Sequence, residues 1–526
     1  MSSSPGVPPP VPTRSNIAFL EHENLERYGN YTRLHYEGKS FSNVEELQYA
    51  GKIAASLRDR GIRPGDRVLT VMPNTPQLTA TFQAVWTIGA TIVPVNPLWS
   101  VSELAYAIYN SGAAAVLTFP QLAKRVADAA AGSAISPRLL CFGPSEVADF
   151  ADISGDIATA HPVSTPVDRA ASDVAMLLYT SGTTARPKGV MVTHANIPAA
   201  IEAVHRVNPA LPRHPILHVL PMNHVFGVLM IQLSNRWGMP SVLMRQFDPV
   251  QIFKAIQEHK IGYVLMVPTM LVYLLHHPER PKYDFSSLYR IITGGSSLPE
   301  SLRQNFQQAF RCRVDQGYGM SETGFISCYG DHEAYRNGSS GWPCPGFNIC
   351  VVDDQGRPLP PPTVGEIWIQ GPSVTPGYWN DPETNGRSFR DQWFHTGDVG
   401  YQDSDGYLYI TDRKKDLIIK GGENISPSEI EEVLYRHPAI SEAAVVGVPD
   451  AEFGEQICAV IQLRTGATAT EGEIHEHAAR YIGKFKQPAY IVFQDILPRT
   501  ATGKVHKQML REQISKKALA PIMNVA

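Results

Sequence analysis

The segment YTSGTTARPKG at 179–189 gathers Thr180, Ser181, Gly182, Thr183, Thr184 and Lys188 directly behind an apolar, β-prone run at 174–178. Gly182 permits a tight backbone turn, in which successive N–H groups can face one anion. The hydroxyls add donors and Lys188 adds positive charge. At the end of a strand, that set makes a cradle for a polyphosphate. Walker A spacing, G-x-x-x-x-G-K-[ST], is not met, so a P-loop nucleotidase is disfavoured.

The segment resembles the signature loop TSGTTGxPKG of the adenylate-forming superfamily, which includes acyl-CoA synthetases, firefly luciferases and peptide-synthetase adenylation domains. Ala185 stands at the usual glycine. Its Cβ limits positive φ but removes no phosphate-binding group. The family's other motifs follow in order between about Ser40 and about Arg511. LPMNHVFG at 220–227 resembles the segment whose histidine, here His224, borders the acyl pocket and can swing aside for the acceptor. TGGSSL at 293–298 resembles the glycine turn along adenosine and acyl group, with Gly294, Gly295 and Ser296. QGYGMSET at 316–323 resembles the YGxTE box. It supplies Gln316, Gly317, Tyr318, Gly319 and Ser321 to the nucleotide, Tyr318 offering a flat face to adenine.

The resemblance makes Glu322 the expected Mg²⁺ ligand, with Thr180 beside it, since a hard cation bridging phosphates takes oxygen donors. WFHTGD at 393–398 resembles the TGD box, in which Asp398 would accept from both ribose hydroxyls. Arg413 would reach ribose or phosphate from the opposite side. LPRTATGKV at 497–505 resembles the C-terminal catalytic loop, with Lys504 as the matching lysine. The pivot position falls on Lys415, and Gly421 and Gly422 would line a tunnel for a thiol arm.

These roles imply a two-step reaction. A carboxylic acid attacks the α-phosphate of ATP, giving an acyl-adenylate and pyrophosphate. The acyl group then passes to an acceptor. Bringing an anion to a polyanion demands charge neutralisation and alignment. Mg²⁺ at Glu322, the loop N–H groups and Lys504 would meet that demand, and no covalent enzyme nucleophile is expected. Lys504 must then withdraw, which the family achieves by rotating a small domain about a hinge.

KGGENISPSEIEEVL at 420–434 resembles the acyl-CoA ligases, so coenzyme A is the leading acceptor. An amide-forming ligase using an amine or amino acid is the alternative. A stand-alone module loading a carrier protein is a third reading. The acyl pocket by resemblance comprises His224, Val225, Phe226, Gly295, Gly319, Met320 and Phe325. It is largely apolar and suits an aryl or fatty acid.

The surrounding pattern supplies the supports such a site needs. Strand-like segments at 67–72, 90–95 and 114–119 alternate with helix-like ones at 75–88 and 103–109. The rhythm resumes with a helix at 249–259, a strand at 263–267 and a helix at 302–310, and predicts parallel sheets with crossover helices. After about residue 346, short strands at 348–353 and 365–370 with turn residues between them predict a small β-barrel module. A strand at 407–410 runs to the charged cluster DRKKD, read as a hinge at 413–416. Helices at 427–435 and 471–481 flank a strand at 443–448. The expected α/β organisation is a Pro-rich tail over 1–14, a large domain over 15–412 with its β-rich part from about 346, and a mobile α+β domain over 417–526.

At 526 residues the chain exceeds a single core. Its 46 basic and 50 acidic residues give a net charge of −4, with no clustered basic patch for a nucleic acid. The six cysteines form no CxxC pair, and a reducing cytoplasm is expected. The apolar stretch at 261–275 is broken by Pro268 and too short to span a bilayer.

Overall fold

The computed structural model describes residues 15–180, 186–208, 214–331, 333–499 and 504–519. Two compact units are present. The first comprises the chain to Phe247 with Met320–Gly324 and Gly371–Gly386. The second comprises Asp248–Gly319, Phe325–Gln370 and the chain from Arg387 onward.

In the first unit, a seven-stranded sheet contains the strands Arg67–Val71, Thr91–Val95, Ala115–Thr118 and Val174–Thr180. They are parallel, as the βα alternation predicts, and buried along nearly their whole length. Capping chemistry fixes the helices between them. Thr75 caps Pro76–Thr87, and Ser100 forms a capping box with Glu103. The second helix therefore begins at Val101, ahead of the expected 103. The sheet is not wholly parallel. Lys188–Thr193 pairs antiparallel with Val174–Thr180, and Thr180 faces Lys188 across that pair.

In the second unit, the strands Tyr263–Met266, Arg290–Thr293 and Arg313–Gln316 lie parallel in register, with Thr293 opposite Gln316. Pro268 does not merely interrupt an apolar run. It begins the helix Pro268–His276, where its missing N–H costs nothing. Beneath the strands Arg290 and Asp315 are both 1 % exposed and 2.6 Å apart, with Arg313 on the same carboxylate at 2.7 Å. This ion cluster fixes the register of the two strands that end in the glycine turn and the QGYG segment.

The β-rich part is a five-stranded antiparallel sheet including Asn348–Val352, Gly365–Gln370, Trp393–Gln402 and Leu408–Arg413. The strand expected at 407–410 continues to Arg413, because its polar end has cross-strand partners. The remainder is an α+β arrangement. Ile440–Asp450 and Gly454–Leu463 form a long antiparallel pair, and Tyr490–Phe493 is parallel to the latter. The helices Pro427–Tyr435 and Glu471–Ala479 pack Ile430, Leu434, Ile474 and Ala478 with Val445 and Ile457 of that sheet. The α/β class with a β-rich module and a C-terminal α+β part is thus observed. Among the described residues, no helix is long and apolar enough to cross a membrane.

Candidate active site

Ser181, Gly182, Thr183, Thr184 and Ala185 lie outside the described residues, as do positions 500–503 before Lys504. The ends of the phosphate segment are described. Thr180 and Lys188 are cross-strand neighbours.

Elsewhere in the first unit, Glu322 is half-buried and fixed by Tyr378, whose hydroxyl donates to Oε1 at 2.8 Å. The Thr375 N–H donates to the Glu322 carbonyl at 2.7 Å. Lys188 Nζ stands 5.6 Å from the centre of the Tyr378 ring. Tyr378 thus organises both a predicted metal ligand and a predicted phosphate-binding lysine. The motif series did not single it out; the aromatic pair Tyr378-Trp379 after Gly377 in a polar segment was its only signal. His224 caps the helix Val225–Trp237, its Nδ1 accepting from the Phe226 N–H at 3.4 Å, and stacks on the Phe226 ring.

Val225 turns to a cavity of about 10 Å³, room for about one water. Ala200, Leu229, Glu322 and Gly324 also line it. Gly324 has φ +69°, and a Cβ there would come 3.0 Å from the Ala200 Cβ. Met320 and Ser321 are buried in the same unit.

The second unit gathers the remaining nucleotide and catalytic candidates. The glycine turn and the QGYG segment leave the C-terminal ends of adjacent parallel strands, where ligands of open α/β sheets bind. Gln316 Oε1 accepts from the Leu298 N–H at 2.9 Å, and the Gly317 N–H donates to Thr293 at 2.7 Å, tying the two segments together. A Cβ on Gly294 would come 3.4 Å from the Gly317 carbonyl oxygen.

Lys504 lies across Gly295. Its Cε and Nζ come within 2.8 and 3.2 Å of the point where a Cβ on Gly295 would stand. Gly295 also has φ +87°, which L side chains rarely adopt. Gly319 and Phe325 belong to this unit, with Phe325 buried, while Ser296 is exposed beside the glycines.

Tyr318 and Asp398 are both buried, and the tyrosine hydroxyl donates to Asp398 Oδ2 at 2.6 Å. Tyr318 is therefore a hydrogen-bond support for the carboxylate as well as a ring. Arg413 is the cross-strand partner of Asp398, its Nε 3.0 Å from Oδ1. It meets Asp398 along the sheet. Among the described residues Oδ1 receives no well-aligned hydrogen bond although it is buried. Burial pushes the Asp398 carboxyl above its ordinary value, against the lowering pull of Arg413, the Tyr318 hydroxyl, Lys504 and Lys415. Tyr318 is raised well above its ordinary value by burial and by Asp398.

Lys415 is exposed in a turn closed by the Asp416 N–H on the Arg413 carbonyl at 2.9 Å. Gly421 and Gly422, with φ +58° and +85°, form the two-residue turn between Ile418–Lys420 and Glu423–Ile425, the geometry that favours glycine. Gly421 neighbours the Phe453 and Phe485 rings.

Within the second unit, a buried carboxylate held by Tyr318 and Arg413 and a lysine crossing a glycine turn are groups suited to a nucleotide and an approaching acid. Comparison with known proteins agrees. Residues 21–379 match the AMP-binding enzyme family and 429–504 match the AMP-binding enzyme C-terminal domain. The chain is 32% identical to a long-chain-fatty-acid–CoA ligase of Bacillus subtilis, over 96% of this chain and 95% of that one. It is 35% identical to a feruloyl-CoA synthase of an Amycolatopsis species, over 92% and 96%.

Among solved structures, ATP-bound MatB from Rhodopseudomonas palustris superposes with a TM-score of 0.88 at 29% identity, covering 96% of this chain and all 100% of that one. The amide bond synthetase McbA from Marinactinospora thermotolerans gives 0.86 at 29%, covering 95% and 99%. The chain belongs to the adenylate-forming AMP-binding enzyme family, in the branch of AMP-forming acyl- and aryl-CoA ligases.

Proposed function

We propose that this enzyme activates an apolar carboxylic acid, fatty or aryl, with ATP and transfers the acyl group to coenzyme A. The carrying observation is Lys504 lying across Gly295 in the unit that also holds Asp398. In this reading Asp398 Oδ1, buried beside the Arg413 guanidinium, takes a ribose hydroxyl. Thr180 and Lys188 contribute to the triphosphate site with Ser181, Gly182, Thr183 and Thr184. Lys504 neutralises the approach of the carboxylate to the α-phosphate.

Glu322 offers the hard oxygen donor that Mg²⁺ prefers, already oriented by Tyr378. When bound, the ion supplies charge neutralisation on the phosphates. His224, Val225, Phe226, Gly295, Gly319, Met320 and Phe325 border the acyl group. Oxygen of the acid displaces pyrophosphate, and the thiol later displaces AMP. For the second step the turn at 413–416 serves as hinge, with Lys415 as pivot. It turns residues 417–526 against 15–412, and Gly421 and Gly422 meet the thiol arm. The names of the two curated relatives support coenzyme A as acceptor, and ATP-bound MatB supports ATP. A cytoplasmic setting fits six free thiols.

The likeness to an amide bond synthetase favours one second reading, transfer to an amine. Hydroxylamine trapping over a panel of acids identifies the acid first. Enzyme, ATP and that acid are then supplied with coenzyme A or with an amino-acid mixture, and the product is weighed. A CoA thioester is expected. An amide formed without thioester overturns the acceptor, and no hydroxamate with any acid overturns adenylation.

A further inference from the structure

Arg499 and Val505 form a β-bridge, and the His506 N–H donates to the Pro498 carbonyl at 2.7 Å. The chain just after Lys504 is therefore tied to Arg499 and its neighbour Pro498. The guanidinium of Arg499 is in turn anchored from two directions. Its Nη2 lies 2.6 Å from Glu442 Oε2, and its Nη1 lies 3.2 Å from Glu442 Oε1. The same Nη1 donates to Thr269 Oγ1 at 3.2 Å, and Thr269 Oγ1 reaches Glu442 Oε1 at 3.5 Å. The guanidinium also stands 5.8 Å from the centre of the Tyr273 ring.

Thr269 and Tyr273 are four residues apart on the helix Pro268–His276 and share a face. That helix directly follows Tyr263–Met266, the strand paired with Arg290–Thr293. The Arg290–Thr293 strand leads straight into Gly294 and Gly295. One small piece of framework thus carries both the glycine that Lys504 crosses and the two side chains that meet Arg499. Glu442 is 7% exposed and Arg499 20%. A sheltered ion pair holds a geometry well only when its remaining donors are satisfied, and Thr269 satisfies one of them.

We propose that Thr269 and Tyr273 are positioning residues for the adenylation step: they dock the Arg499–Glu442 pair and so set Lys504 over Gly295. The proposal rests on the reading of Lys504 given above. Arg499 and Glu442 both lie beyond the hinge, so they travel together when residues 417–526 turn, and only Thr269 and Tyr273 are left behind. The dock accordingly serves the first half-reaction and not the second.

The test uses the full chain with Thr269→Val and Thr269→Ser. ATP–pyrophosphate exchange reads the first step, and acyl transfer from a synthetic acyl-adenylate reads the second. Amide hydrogen exchange at Val505 and His506 without substrates reads the dock itself. Thr269→Val should slow pyrophosphate exchange about tenfold, the scale of one hydrogen bond to a charged group. Transfer should stay unchanged, amide protection at Val505 and His506 should fall, and Thr269→Ser should restore both.

Unchanged pyrophosphate exchange, a parallel loss in both half-reactions, or a serine variant no better than valine overturns the dock. If the wild-type enzyme exchanges no pyrophosphate with any acid, the adenylation reading falls. The amide protection then decides the dock alone: a loss in Thr269→Val upholds it, and unaltered protection overturns it.

Discussion

Lys504 Nζ stands 3.2 Å from the position a Cβ would take on Gly295, and Lys504 Cε stands 2.8 Å from it. The lysine therefore lies where only glycine leaves room, at a residue whose φ of +87° already favours glycine. Gly295→Ala should strain the turn and push the ammonium aside. Displacement by about 1 Å costs about a hundredfold in rate. Pyrophosphate exchange should fall by that order, while Lys504→Ala should lose about three orders of magnitude, the scale of removing a preorganised charge-stabilising group. Transfer from a pre-made acyl-adenylate should survive in Lys504→Ala. Full exchange activity in that variant would remove Lys504 from the mechanism.

Asp398 gives a prediction that separates stability from binding. Burial raises its folded pKa above the ordinary value of 3.8. A group with a raised folded pKa contributes stability that is whole below its unfolded pKa and lost as pH rises through the folded pKa. Ionisation of this carboxyl therefore costs stability as pH rises above 3.8. Asp398→Asn keeps an acceptor for the Tyr318 hydroxyl and removes that charge. Its apparent Tm should exceed that of the wild type at pH 7, with the gain vanishing as pH falls through the window above 3.8. Nucleotide affinity should fall about ten- to hundredfold for the lost charged acceptor. Thermal scans across pH and a nucleotide titration check the two halves separately.

Tyr378→Phe isolates the support of Glu322. Phenylalanine keeps the ring near Lys188 Nζ but deletes the hydroxyl that donates to Oε1. Loss of an orienting partner behind a metal ligand typically costs about 10- to 100-fold in metal affinity. Pyrophosphate exchange should need that much more Mg²⁺ for half-maximal rate and recover at saturating Mg²⁺. An unchanged Mg²⁺ requirement would leave Glu322 without the metal role.

Much of this arrangement is legible in local sequence, and the exceptions share a cause. Pro249–His259 matches its expected bounds because Asp248 caps it and proline occupies its first turn. Gly365–Gln370 matches because its apolar run is bounded by turn residues. Leu408–Arg413 outruns its apolar residues because Arg413 is held by Asp398, a partner on another strand. The antiparallel Lys188–Thr193 strand breaks the expected parallel pattern because apolar content does not encode strand direction. Tyr378, Thr269 and Glu442 carry no motif of their own. Each matters through a contact at long sequence separation, which a linear pattern does not express.

The hinge prediction depends on backbone freedom rather than on a side-chain contact. Lys415 lies between Leu408–Arg413 and Ile418–Lys420, in a turn closed by the Asp416 and Leu417 N–H groups on the Arg413 carbonyl. Proline fixes its own φ near −65° and disfavours helical geometry at the residue before it. Lys415→Pro therefore narrows the backbone angles available to both Lys414 and itself. If residues 417–526 turn about this point between half-reactions, one arrangement should survive and the other should not. Pyrophosphate exchange should stay within about threefold of wild type, while thioester formation should fall more than about tenfold, as expected when a conformational step becomes limiting. Steady-state thioester synthesis measured beside pyrophosphate exchange makes the distinction. Equal loss in both assays would mean that proline has damaged the Asp398–Arg413 strand pair instead, and the pivot would then have to lie elsewhere in 413–416.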